Sequence, residues 1–383
     1  MSMNRLILHV GMPKAGSSSL QESLYYGLED PRFHYLGFGL INGSRALQTL
    51  FSERSRDTVQ ELIGGNPRQL ARTRDRWQSR LKAGLNRCRQ RGATPILSGE
   101  WCWRMTPREL TAMRKSLESE GFEPEVLVYV RPLPSWYPSG FQESILWGER
   151  EFSPFRLWVP DETDIDESDL EAGLHRLDSV FGRTRVTVVP FEQHRLKNGC
   201  VVEDFCHRMG IDVAAGSVRR VRESLSLDAT RLLYTYYSRG PGFGTGRGII
   251  EKNVLLHRQL AALKGPGLQY HPVLLQERAE HIARQHAAVE ARLGIPFGRG
   301  ETAYDESLLL REEADLLRHR PESLQWLAQR TGLPVPEQTE GEACTRQVVT
   351  MLDHLRRHPP LELRLARLSE FAHREWRRIW RGV

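Results

Sequence analysis

A doubly wound α/β fold is predicted by three features of this 383-residue chain: four short β-branched runs, a helix-like stretch after each, and a glycine loop directly after the first. The runs are Leu6 to Val10, Thr94 to Leu97, Glu125 to Val130 and Arg185 to Val189. Apolar runs separated by helices suit parallel strands covered on both faces. Ligands of such sheets bind beyond the carboxyl ends of the strands. That rule directs attention to Gly11 to Ser19, Ser98-Gly99-Glu100, Arg131 to Ser139 and Pro190-Phe191-Glu192.

Between the first two runs, Leu70, Trp77, Leu81, Leu85 and Cys88 recur at helical spacing with arginines on the other faces, predicting one long amphipathic helix. Acidic Asp161 to Glu171 reads as a solvated loop leading into a helix. Arg239 to Gly248 is too glycine-rich for either regular structure. Beyond it the chain is mostly helical. The organisation expected is an α/β domain over 1–331, a linker over 332–343 containing Pro334 and Pro336, and a helical tail over 344–383.

Composition narrows the class. With 39% hydrophobic and 27% charged residues, the chain can bury a core and is neither fibrous nor disordered. Its longest apolar run, Val126 to Val130, is far short of the roughly 20 residues a membrane span needs. The N-terminus enters a strand-like run without an export signal. The 5 cysteines are odd in number and include no C-x-x-C pair, which fits a reduced, cytoplasmic chain without structural zinc.

The formal charge of +6 is distributed locally. Arg68 to Arg91 holds 9 basic residues against Asp75, whereas Pro160 to Ala172 holds 7 acids and no base. Basic residues are not interleaved with stacking aromatics, so nucleic acid is not an expected partner. Trp376 and Trp380 among the arginines of the tail are spaced to touch a membrane surface peripherally or to pack on the body.

The strongest local signal is Leu8-His9-Val10-Gly11-Met12-Pro13-Lys14-Ala15-Gly16-Ser17-Ser18-Ser19, a strand, a tight loop and a helix start. Backbone amides there, with three successive hydroxyls, form a cradle for phosphate or sulfate. A Walker A loop sets Lys directly after its last Gly, whereas Lys14 precedes Gly16 by two positions. A second anion site is predicted after the third run, where Arg131 ends the strand and Ser139 follows eight residues later. Pro138 is acceptable there if Ser135 caps the helix, which would set Ser139 one turn in.

Pro13-Lys14-Ala15-Gly16-Ser17-Ser18-Ser19 resembles the 5′-phosphosulfate loop of sulfotransferases that use 3′-phosphoadenosine 5′-phosphosulfate (PAPS), and Arg131 with Ser139 is similar to that family's 3′-phosphate pair, spacing included. The resemblance spans roughly residues 5 to 330, with Val189-Pro190-Phe191-Glu192 similar to a later strand end. It implies a P-loop-like α/β fold, no metal, and sulfuryl transfer to an acceptor hydroxyl, leaving 3′-phosphoadenosine 5′-phosphate (PAP). Lys14 would contact the transferred group. Ser17, Ser18 and the amides from Gly16 would hold the 5′-phosphate, and Arg131 with Ser139 the 3′-phosphate. Ser19, where cytosolic members carry Trp, suits the carbohydrate-type or bacterial branches. Arg247 is the substitute for a C-terminal basic segment.

Sulfuryl transfer needs an in-line nucleophile and a cation at the leaving oxygen, which Lys14 can supply. Glu100, just past the second run, is the candidate base, as in carbohydrate sulfotransferases; the alternative is a helix-capping glutamate or one paired with Arg104. Glu192 and His9 also end strands. Trp101, Trp103, Trp136, Tyr137 and Trp147 could line an acceptor site or pack in the core. Carbohydrate, lipid, peptide tyrosine and small metabolite remain open as acceptors. An ATP or GTP phosphotransferase with an altered P-loop, and a non-catalytic nucleotide-binding protein, are the competing readings.

Overall fold

The computed structural model describes residues 3–52, 67–147, 152, 154–155, 165–212, 216–219, 224–241, 247–299 and 305–363. In chain order these form β1 (Asn4–His9), α1 (Ser17–Gly27), β2 (Phe33–Tyr35), α2 (Ser44–Phe51), α3 (Pro67–Arg91) and β3 (Thr94–Ser98). A short 3-10 helix (Glu100–Arg104) then leads to α4 (Pro107–Ser119), β4 (Phe122–Val130), α5 (Leu133–Trp147), α6 (Leu170–Phe181), β5 (Val186–Pro190) and α7 (Val201–Met209). The remainder comprises α8 (Leu227–Arg239), α9 (Arg247–Leu260), β6 (Gln269–Tyr270), α10 (Pro272–Leu275), α11 (Ala279–Leu293), β7 (Leu309–Leu310), α12 (Pro321–Thr331) and α13 (Gly341–Arg357).

The main sheet has five parallel strands in the order β2-β3-β1-β4-β5. From β1 the chain goes to the outer edge as β2, returns to fill the gap as β3, and then crosses to the other side as β4 and β5. The switch point is therefore the carboxyl end of β1, where a doubly wound sheet opens its ligand crevice. Leu6, Ile7 and Leu8, like Val126 to Val130, are fully buried, as strands covered by helices on both faces require.

All four predicted runs are strands, with β4 starting three residues earlier than its run. Pro124 is tolerated there because β5 pairs with β4 only from Val126 onward, so that stretch of β4 has one open edge. The edge strand β2 is absent from the sequence reading: three half-buried residues carry too little pattern to register. The predicted amphipathic helix is α3, which buries Trp77, Leu81, Leu85 and Cys88. Two of its arginines tie it to neighbouring main chain, Arg74 donating to the Thr49 carbonyl in α2 at 2.9 Å and Arg80 to the Phe38 carbonyl at 2.7 Å.

The glycine-rich stretch expected to be irregular over Arg239 to Gly248 is helical at both ends, α8 closing at Arg239 and α9 opening at Arg247. Its middle, 242–246, lies outside the described residues, as do 161–164 of the acidic loop and the tail beyond 363; the rest of that loop is not simply solvated, because Glu167 and Ser168 are buried. In the described C-terminal part, α13 buries Val348, Met351 and Leu352 against α8 and α9. No helix among the described residues is long and apolar enough to cross a membrane.

Three histidines are held neutral by burial: His9 is pulled down to about 3, and His286 and His319 to about 4. In the unfolded chain they protonate near 6.5. Between those values the unfolded state binds more protons, so stability is full above about pH 6.5 and falls as pH drops toward 4, by up to roughly 1.4 kcal/mol per pH unit for each histidine. Thermal unfolding at pH 7.5 and pH 5 checks this. A melting temperature that does not fall across that interval would contradict it.

Candidate active site at the carboxyl edge of the sheet

The loop after β1 continues the pairing with β4: the Met12 amide donates to the Tyr129 carbonyl at 2.9 Å and the Tyr129 amide to the Gly11 carbonyl at 2.9 Å. Trp136, on α5, adds a side-chain bond from Nε1 to the Pro13 carbonyl at 3.0 Å. Ala15 is fully buried. Gly16 has φ +81°, and a Cβ there would come within 2.8 Å of Val201 Cγ1 and 3.0 Å of Phe191 Cε2. Only glycine meets both conditions.

Gly16 is also the N-cap of α1 and has no side chain to offer the helix's first amides, whose acceptors cannot come from within the helix. Three other helices close this end with a side chain, Thr106 at α4, Asp169 at α6 and Ser226 at α8, whereas α2 and α7, like α1, do not. No acid lies in the first turn of α1. Ser17 Oγ is buried without a hydrogen-bond partner. Ser18 and Ser19 follow it in the first turn, both half-buried. An uncapped helix end with an orphaned buried hydroxyl fits an anion.

Arg131 lies beside this loop. Its Nη1 donates to the Lys14 carbonyl at 2.8 Å, its Nε to Ser135 Oγ at 3.1 Å, and its guanidinium is 5.6 Å from the Phe191 ring centroid. Burial alone pulls its pKa down to about 10, with no acid among the described residues offsetting it. The side chain remains a cation at neutral pH, held by neutral acceptors. By contrast, Arg208 and Arg320 are raised by the aspartates they bind. A desolvated guanidinium without a carboxylate is costly, and an anionic ligand would offset that cost.

The helix that carries Ser139 begins earlier than the expected Ser135 cap, and Pro138 is an interior proline. The carbonyl of Pro132 accepts from the amides of Ser135 and Trp136, and the amide of Leu133 donates to His286 Nε2 at 3.2 Å. Long-range capping by His286 lets the helix start at Leu133. Ser139 is consequently in the second turn rather than the first, buried and one turn beyond Ser135 on the same face. A further turn along that face is Glu143, whose Oε2 lies 3.5 Å from Lys14 Nζ. Sequence reasoning missed Glu143, for which spacing of four from Ser139 was the available signal.

Glu100 opens the 3-10 helix after β3, and its backbone packs on the loop: a Cβ on Gly11 would lie 3.3 Å from Glu100 Cα. Asn42 Nδ2 donates to Glu100 Oε1 at 3.1 Å. Arg104 ion-pairs with buried Glu167 and stacks 4.9 Å from the ring centroid of half-buried Trp101. Burial, the largest influence, raises the Glu167 pKa, and Arg104 opposes it.

The other candidates divide clearly. Trp103, Trp136 and Tyr137 are buried in the core. The Glu192 Oε1 accepts from the Gly298 amide at 3.3 Å. His9 is buried with Nδ1 2.8 Å from Ser98 Oγ, which also accepts from Gln21 Nε2 at 3.1 Å. Arg247 is the first residue of α9, and its side chain, like that of Trp147, lies outside the described residues.

No protein-family model and no curated protein matches the chain. Among solved structures it is similar to a sulfotransferase from Alicyclobacillus acidocaldarius, with TM-score 0.39 and 14% identity over 76% of this chain and 96% of that one. It is also similar to the sulfotransferase domain from the curacin biosynthetic pathway, with TM-score 0.28 and 12% identity over 88% of this chain and 100% of that one.

Proposed function

We propose that the chain is a sulfotransferase that moves the sulfuryl group of PAPS onto an acceptor hydroxyl. One observation carries the reading: the half-buried Arg131, held by no carboxylate among the described residues, is hydrogen-bonded to the carbonyl of Lys14 in the loop that opens α1, whose N-cap glycine has no side chain. Two sets of donors suited to anions are thereby joined in one place, as a nucleotide phosphorylated at both its 3′ and 5′ positions requires.

In this reading Gly16, Ser17 and Ser18 bind the 5′-phosphate through backbone and hydroxyl donors, with Pro13, Ala15 and Ser19 shaping the turn. Arg131 and Ser139 bind the 3′-phosphate. Lys14 bears on the oxygen where charge develops as the sulfur–oxygen bond breaks, and Glu100 takes the acceptor's proton. The acceptor is a hydroxyl compound of the carbohydrate, lipid or small-metabolite class.

Thermal shift tests the donor. PAP at about a hundred times its Kd is expected to raise the melting temperature by roughly 5 °C, with Mg-ATP giving little change. Arg131→Met should remove most of the PAP shift, measured against the variant's own ligand-free melting temperature because the bonds to the Lys14 carbonyl and Ser135 are lost with the guanidinium. A larger shift with Mg-ATP would favour the phosphotransferase reading.

A further inference from the structure

Three residues one turn apart on α5, Ser135, Ser139 and Glu143, share the helix face that meets the loop. Its two ends hold the same partner region: Ser135 receives Arg131, which binds the Lys14 carbonyl, and Glu143 ion-pairs with the Lys14 ammonium. Lys14 itself has φ +64°, a conformation that residues with side chains rarely adopt, so its stem leaves the loop in a set direction. Both members of the pair are partly exposed, at 25% for Lys14 and 34% for Glu143.

We propose that Glu143 is the positioning residue of Lys14: its carboxylate is the anion the ammonium grips before a donor arrives, and donor binding replaces it. This rests on the sulfotransferase reading above. An ammonium on a four-carbon stem has no geometry of its own, and nearby main-chain carbonyls compete for it. A carboxylate on α5, 3.5 Å from the ammonium, gives the stem a fixed end point. It also opposes an incoming polyanion in two ways, by holding the lysine and by direct repulsion. The first acts through Lys14 and the second does not, so the two can be separated.

The experiment measures the affinity of the full-length protein for PAP by titration calorimetry at low salt, in the parent, Glu143→Gln, Lys14→Ala and the double variant. Releasing a partly exposed pair should tighten PAP binding about fivefold when Lys14 is present and less than twofold when it is absent. Site damage would weaken binding, so a gain cannot come from misfolding. Lys14→Gln serves as the second background if alanine leaves too little affinity to measure. Unchanged or weaker binding in Glu143→Gln overturns the proposal, and so does an equal gain in both backgrounds, which would reduce Glu143 to a local charge. Failure of the donor reading is distinguishable, because it appears in the parent alone as no preference for PAP over ADP.

Discussion

Lys14→Ala is expected to lower turnover of PAPS by about a thousandfold, with the affinity for PAP falling less than tenfold. In sulfuryl transfer a new sulfur–oxygen bond forms to the acceptor while the bond to the 5′-phosphate breaks, and the leaving oxygen takes the electron pair. A cation at that oxygen gains most when the charge has developed, so its deletion is felt in the rate more than in ground-state binding. The protein's own arrangement favours this split. The loop is held by bonds to β4, by Trp136 on the Pro13 carbonyl and by Arg131 on the Lys14 carbonyl, none of which uses the lysine's ammonium. Alanine at 14 thus removes charge with little disturbance of the cradle. Steady-state turnover of PAPS with a hydroxyl acceptor panel, beside PAP calorimetry on the same preparation, makes the measurement. A rate within tenfold of the parent would remove Lys14 from the mechanism.

What was legible in the chain was what is local in it. The β1 loop, the strand-end Arg131 and the glutamate after β3 each announce themselves within about ten residues, because a buried parallel strand and a glycine turn leave composition signatures. The capping of α5 was not legible. The donor at Leu133 finds its acceptor on His286, 153 residues later, so the apparent Ser135 start and the first-turn reading of Pro138 both failed. Glu143 was overlooked for a related reason: its importance lies in where Lys14 ends, which depends on a left-handed main-chain angle that residue type does not advertise. His9, at the end of β1, looked as well sited as Glu100. Its burial among Ser98, Tyr129 and Phe205 makes it a packed, neutral ring.

Glu100→Gln is expected to reduce turnover by at least about a hundredfold, with PAP affinity unchanged within threefold. The substitution keeps shape and leaves an amide oxygen to accept the bond from Asn42, so the 3-10 helix and its packing on Gly11 should persist. What it removes is the capacity to take a proton. A base matters most when the acceptor is a poor acid, since proton transfer must then accompany attack. An alkyl alcohol should therefore suffer the full loss and p-nitrophenol, already largely ionised above neutral pH, a much smaller one. That contrast separates loss of a base from loss of structure, which would depress both acceptors alike. If Glu100→Gln transfers to an alkyl alcohol at nearly the parent rate, the proton goes elsewhere. Glu143, the carboxylate on the α5 face that meets the loop, is then the next to test.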